Sequence, residues 1–127
     1  MSEHTEQAAF VAQVLYCYRN DPTFIRGLFF STFNGAWLGG SAKARGYQMF
    51  KAKAAGFLPG VADILYLQAR AKYHYLTIEM KDKKGRLSQD QVDFIFNVRR
   101  AGGYAFVSYG VDDAILTFEA YMKLEPA

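Results

Sequence analysis

The spacing of apolar and polar positions divides the chain into a succession of helical and extended segments. Over residues 5–19, Phe10, Val11, Val14, Leu15 and Tyr18 recur at helical intervals, and Asn20-Asp21-Pro22 ends the run, which predicts a first helix. Residues 28–33 are short and aromatic and lead into Asn34-Gly35, the pattern of a strand and a turn. Gly39-Gly40-Ser41 then breaks the chain, and a second helix is expected over residues 42–55, with Gly56 as a left-handed cap. Residues 61–67 and 75–81 read as strands joined by the polar segment 68–74, a hairpin. A third helix follows over 88–101, with Phe94, Ile95 and Val98 inward and Gly102-Gly103 ending it. Residues 104–109 form a further strand. A last helix over 111–123 starts at Asp112 and Asp113 and turns Ile115, Phe118 and Met122 inward.

The resulting order is helix, strand, helix, strand, strand, helix, strand, helix, with no internal repeat. At 127 residues and 51% hydrophobic, the chain suits one domain, residues 1–127, with a sizeable core. No apolar run approaches the ~20 residues of a bilayer-spanning helix, and the N-terminus lacks a basic-then-apolar leader, so a soluble cytoplasmic protein with no membrane partner is expected. Cys17 has no intrachain cysteine partner, and its neighbours Val14, Leu15 and Tyr18 suggest ordinary packing in a reducing compartment. His4, in an expected tail, and His74, in an expected loop, leave no Cys/His set for zinc.

Net charge is +3 with a pI near 9.0, which favours a polyanionic partner only weakly. Distribution adds more. Cations gather at Lys43, Arg45, Lys51 and Lys53, at Arg70 and Lys72, and at Lys81, Lys83, Lys84 and Arg86. Each group is either a solvated face or part of a surface for phosphates.

The chemistry-bearing set is Asp63 with Glu79-Met80-Lys81. A hairpin symmetric about residues 68–74 sets Asp63 across from Glu79, where opposed Cβ atoms lie about 5 Å apart. Alternation along the second strand puts Glu79 and Lys81 on one face and Leu76, Ile78 and Met80 on the other. Two carboxylates at that distance repel, and a divalent cation is a natural way to keep both ionised; oxygen ligands favour Mg2+ or Mn2+. Such an ion polarises a phosphate and acidifies a bound water, and the neighbouring lysine can stabilise the charge that develops. The pattern acid, any residue, lysine is common by itself and on an exposed strand is usually solvated charge.

The combination carries more. Gly60-Val61-Ala62-Asp63-Ile64-Leu65, then Leu76-Thr77-Ile78-Glu79-Met80-Lys81, then Gly85-Arg86-Leu87-Ser88-Gln89-Asp90-Gln91, with the later Gly102-Gly103-Tyr104-Ala105-Phe106-Val107, resembles the VRR-NUC branch of the PD-(D/E)XK nucleases from about Ala54 to the C-terminus. The resemblance implies an α/β fold with a restriction-endonuclease-like core, a mixed sheet of about four strands flanked by helices. It implies that Asp63 and Glu79 are metal ligands, that Met80 offers its backbone carbonyl, that Lys81 is the catalytic lysine, and that Gln91 reaches back to the site. Glu6 would match the family's acid on the first helix, also beside the metal. Ala62 stands where the family usually has proline, a difference that removes no ligand. Stand-alone members of this branch resemble virus-type, phage-like nucleases that act as homodimers on branched DNA such as four-way junctions. Lys83, Lys84 and Arg86, directly after the catalytic strand, would then meet phosphates beside the cut, and Lys43, Arg45, Lys51 and Lys53 would line a groove for DNA.

Two readings of Gln91 stand side by side. Ser88-Gln89-Asp90-Gln91 satisfies a capping box, which accounts for both ends of the motif as helix-start chemistry. Gln91 also lies one turn before Ile95, on the core side, where it can address Glu79. For the whole chain the alternatives to a branched-DNA endonuclease are a flap or end-processing nuclease, a nucleic-acid-binding module of the same fold without catalysis, and a structural protein whose aromatics pack a dimer.

Overall fold

In the computed structural model of the chain, which describes residues 2–32 and 39–127, the first helix begins two residues earlier than its apolar pattern suggests. The cause is Ser2, whose hydroxyl accepts the Thr5 N–H at 3.1 Å and caps helix α1 (Glu3–Cys17). Asp21 then accepts the Thr23 N–H at 2.8 Å, an Asx turn that reverses the chain into strand β1 (Phe29–Ser31). The predicted end of this strand at Phe33 and the Asn34-Gly35 turn lie outside the described residues. Helix α2 (Ala42–Ala54) is capped by Ser41 and closes at Gly56, whose φ of 106° is the left-handed conformation expected there.

Strands β2 (Ile64–Tyr66) and β3 (Leu76–Lys81) pair antiparallel, and β4 (Tyr104–Tyr109) pairs parallel to β3. With β1 antiparallel to β2, the sheet is mixed and four-stranded, in the order β1-β2-β3-β4. The crossover from β3 to β4 is helix α3 (Gln89–Arg100), and helix α4 (Val111–Met122) follows β4 directly.

Two cores separate the faces of this sheet. On one, α1 and α4 bring Phe10, Val14, Ala114, Phe118 and Tyr121 against Phe29, Ile64, Tyr66, Leu76, Ile78 and Met80. Its centre is aromatic: Phe118 lies edge-on to Phe10, Phe29 and Phe24, with ring centroids 6.2, 5.3 and 6.1 Å apart. On the other face α3 buries Ile95 and Val98 on Ala105, with Tyr75, Phe94 and Val107 around them. The sheet residues that alternate toward α3 include Thr77 and Glu79, both buried.

Several expectations are corrected. Cys17 is exposed, not packed, because the inward stripe of α1 runs through Phe10, Val14 and Tyr18 and Cys17 sits on its margin at the helix end. His4 belongs to the first turn of α1 and not to a tail. On α4 the fully buried residues are Ala114, Thr117, Phe118 and Tyr121, while Ile115 and Met122 are half-buried; the small Ala114 lets the helix lie closer to the sheet on that side. Arg70, grouped above with solvated cations, is 1% exposed and lies inside the fold. Among the described residues, no helix is long and apolar enough to cross a membrane.

Candidate active site

The β2–β3 ladder pairs Ile64 with Ile78, so continuing the register by one residue sets Asp63 against Glu79. There the ladder stops and a side chain takes over. Met80 would be left with a buried N–H where β2 departs, and Asp63 Oδ2 accepts it at 2.8 Å. The loop before Asp63 is held by Thr32, whose N–H donates to the Asp63 carbonyl at 3.0 Å and whose hydroxyl donates to the Ala62 carbonyl at 2.7 Å. An alanine at position 62 therefore keeps the carbonyl that a proline would also supply.

Asp63 and Glu79 lie together on the α3 side of the sheet, close enough that each carboxyl perturbs the other. Glu79 is 3% exposed, and burial first, then the Asp63 charge, pushes its carboxyl up to about 8. Burial also raises Asp63, opposed by the Met80 N–H. Lys81 Nζ stands 4.0 Å from Glu79 Oε1, with its stem against Gly85, where an added Cβ would lie 3.1 Å from Lys81 Cδ. Lys81 is in register with Tyr109 on β4, so that half-exposed ring borders the same end of the sheet, a neighbour that the sequence pattern alone did not single out.

Gln91 does both things its spacing allowed. Its Oε1 accepts the Ser88 N–H at 2.9 Å and Ser88 Oγ accepts the Gln91 N–H at 3.2 Å, a complete capping box. Its Nε2 donates to Glu79 Oε1 at 2.8 Å. One amide thus ties the start of α3 to the buried carboxyl. The approach of α3 to the Asp63 loop depends on Gly60, which has a φ of 91° and where an added Cβ would fall 2.5 Å from the Asp90 carbonyl carbon. Gly60→Ala is expected to lower stability by about 1–3 kcal/mol through strain and overpacking, and to weaken activity by shifting Gln91. Chemical denaturation measures the first effect and a cleavage assay the second.

The remaining residues fall into two sets. Lys83, Lys84 and Arg86 are exposed in the turn after β3, and Lys43, Arg45, Lys51 and Lys53 are exposed on α2. Glu6 projects from α1, in the opposite layer, with Oε1 3.8 Å from where a Cβ on Gly110 would stand and Oε2 buried without a hydrogen-bond partner. The α1 acid whose charge is felt by both Asp63 and Glu79 is Glu3, which the sequence reading passed over; its Oε1 lies 3.5 Å from the Asp82 N–H.

Among the described residues no three His, Cys, Asp or Glu side chains cluster closely enough to form a metal cage. The donors at the pair nevertheless fit a hard divalent ion. Glu79 Oε2 is buried and has no hydrogen-bond partner, and Asp63 stands beside it. Mg2+ is commonly held by one or two carboxylates, with water and substrate phosphate completing the shell.

A site of two adjoining carboxyls and a lysine on a β-hairpin, braced by a glutamine from the next helix, is what the comparison with known proteins bears on. Residues 20–112 match the VRR-NUC domain. The chain belongs to the VRR-NUC family. The match reaches further toward the N-terminus than the motifs from Ala54 onward, taking in β1 and α2, and leaves Glu6 outside it. Among solved structures, a "VRR_NUC domain protein" superposes with a TM-score of 0.74 at 22% identity, covering 99% of this chain and 92% of that one. At that identity the likeness shows the fold. No curated protein sequence matches. The VRR-NUC domain is thus present with a nuclease-type fold.

The raised carboxyls make stability depend on pH in a definite direction. Between the ordinary carboxylate range and about 8, the folded state keeps a proton on Glu79 that the unfolded state has released. Metal-free protein should therefore lose stability as pH rises through that window. A divalent ion that binds only the folded state should restore it most at the alkaline end. Thermal melts across pH 5–9, with EDTA or with Mg2+ or Mn2+, test this; a flat metal-free profile would contradict a raised Glu79 carboxyl.

Proposed function

We propose that this VRR-NUC protein is a divalent-metal-dependent DNA endonuclease whose centre is Asp63, Glu79 and Lys81. The observation that carries the reading is the buried Asp63–Glu79 pair, with Glu79 Oε2 unsatisfied and a lysine 4.0 Å from its other oxygen. Asp63, Glu79 and the Met80 carbonyl are the proposed ligands for Mg2+ or Mn2+, and Glu6 is the proposed outer acid from the α1 side. A bound ion would supply Lewis-acid polarisation of the scissile phosphate and a more acidic water.

The chain's own residues supply the rest. The Met80 N–H fixes the Asp63 carboxylate, and the Gln91 amide fixes that of Glu79, so both donors are oriented before any ligand arrives. The Lys81 ammonium stands where it can orient the attacking water and stabilise the charge building on phosphate oxygens. The exposed cations of the turn, Lys83, Lys84 and Arg86, take the phosphates on either side of the cut, and those of α2 extend the contact. Among the described residues no base-reading helix-turn-helix or zinc module accompanies the fold, which suits selection by DNA structure over sequence. We further propose branched DNA as the substrate and a homodimer as the working form, since two symmetric cuts across a junction call for two symmetric centres. An intracellular setting follows from that substrate.

The test is a cleavage panel in Mg2+ or Mn2+ on single-stranded, duplex, flap, nicked and four-way DNA. Lys81→Ala should cut about 100-fold more slowly or worse on the preferred substrate, with unchanged DNA affinity in EDTA. Tight salt-sensitive binding with no cutting of any substrate would leave a binding module instead.

A further inference from the structure

No residue of α2 is buried, and Tyr47 and Phe50 are 64% and 70% exposed. The half-covered residues of this helix, Ala44, Met49 and Ala52, mark its side toward the body. At about 100° per residue, Lys43, Tyr47, Phe50 and Ala54 fall on the opposite side, with Lys51 and Lys53 on its two edges. Two rings and two ammonium groups therefore share one solvent-facing surface, with Lys51 Nζ 5.5 Å from the Tyr47 ring centroid. Two exposed rings rimmed by cations make a surface suited to a partner.

Charge selects which one. The helix carries Lys43, Arg45, Lys51 and Lys53 and no acid, so packing it on a second copy of itself would set like charges against each other. A polyanion is attracted instead. Paired bases already have their flat surfaces covered by their neighbours, whereas unpaired bases offer theirs to a protein ring. We infer that α2 is a platform for unpaired DNA bases, on which Tyr47 and Phe50 stack while Lys43, Lys51 and Lys53 hold the flanking phosphates. The inference rests on the nuclease reading for its role there: it names unstacked strands, as at a branch point, as the feature the enzyme selects. Connectivity supports such a coupling, because Asp63 follows Ala54 by nine positions and an extended chain of that length spans at most about 30 Å.

Fluorescence anisotropy in EDTA isolates binding from cutting, with a labelled single strand, the same sequence as blunt duplex, and a four-way junction as probes. Tyr47→Leu/Phe50→Leu keeps apolar bulk and net charge while removing both ring faces. It should weaken single-strand and junction binding about tenfold or more, with duplex affinity within about twofold and the salt slope unchanged. Restoring one ring as Tyr47→Trp should recover much of the loss. Lys43→Gln/Lys51→Gln should weaken all probes and flatten the salt slope. Should the leucine variant misfold, Phe50→Trp keeps the question open to measurement, because its added fluorescence should be quenched by single strand and not by duplex. Wild-type affinity in the leucine variant, an equal loss on duplex, absence of quenching, or a change from dimer to monomer in sedimentation with single-strand affinity intact would each overturn the platform. The two readings fail separately. A protein that cuts nothing but loses single-strand affinity in the leucine variant sinks the nuclease and keeps the platform; one that cuts normally with both rings removed does the reverse.

Discussion

Asp63→Asn is expected to abolish metal-dependent cleavage, by at least about 1,000-fold, while making the metal-free protein more stable at alkaline pH. The two effects come from one change. Asparagine keeps an oxygen to accept the Met80 N–H, now made to Asp63 Oδ2 at 2.8 Å, so the end of the β2–β3 ladder survives. It also has an amide N–H to offer Glu79. What disappears is the negative charge that, after burial, does most to push Glu79 up to about 8. Each pKa unit by which Glu79 relaxes is worth about 1.4 kcal/mol of folded-state stability above the window, so variant and wild type should diverge as pH rises from 5 to 9. The same variant should gain little from Mg2+ or Mn2+. Melts in EDTA and in metal, beside a single-turnover cleavage assay, give all of this; wild-type cutting by Asp63→Asn would remove Asp63 from the centre.

Much of this site is legible in the sequence because it depends on local geometry. The hairpin is symmetric about Ala71, which takes a φ of 49° at its turn, and counting outward from there meets Asp63 and Glu79 together. Alternation then places Lys81 beside Glu79. Gln91 was legible twice over, as a cap and as a partner of Glu79. The two readings competed only because spacing cannot show that one amide has an oxygen for the backbone and a nitrogen for the carboxyl. The extent of β2 was not legible. Val61 to Asp63 look like strand, yet they leave the ladder so that the Asp63 side chain can replace a backbone partner. On helix α2 the sequence drew attention only to the cations; the exposure of the Tyr47 and Phe50 rings beside them needs the fold. On the first helix it is the Glu3 charge that acts on the pair, across a layer boundary that no periodicity records.

Arg70→Met is expected to cost about 4 kcal/mol or more, enough to unfold a domain of ordinary stability or nearly so. Arg70 has the basic character of a surface contact, and all its side-chain partners but Gln68 are too distant in sequence to be inferred. Its Nε donates to Gln68 Oε1 at 2.8 Å, Nη1 to the carbonyls of Met122 and Leu124 at 2.8 and 2.9 Å, and Nη2 to Thr23 Oγ1 and the Thr23 carbonyl at 2.9 and 3.3 Å. The guanidinium thus joins the turn after α1, the β2–β3 loop and the end of α4. No carboxylate pairs with it among the described residues; the C-terminal carbonyls of α4 supply the negative pole that stabilises the buried charge. Methionine fills similar volume but leaves those acceptors without a donor in a region closed to water, and each such loss is worth about 1–3 kcal/mol before relaxation. Arg70→Lys keeps the charge but cannot reproduce the planar set of donors, so it should fall between, losing about 2 kcal/mol. Urea unfolding of the three proteins ranks them. Because Arg70 lies in the β2–β3 loop, at the closed end of the hairpin whose open end carries Asp63 and Glu79, whatever Arg70→Lys retains in folded protein should cut DNA at the wild-type rate per folded molecule, which separates this residue from the cations of α2 and of the turn after β3.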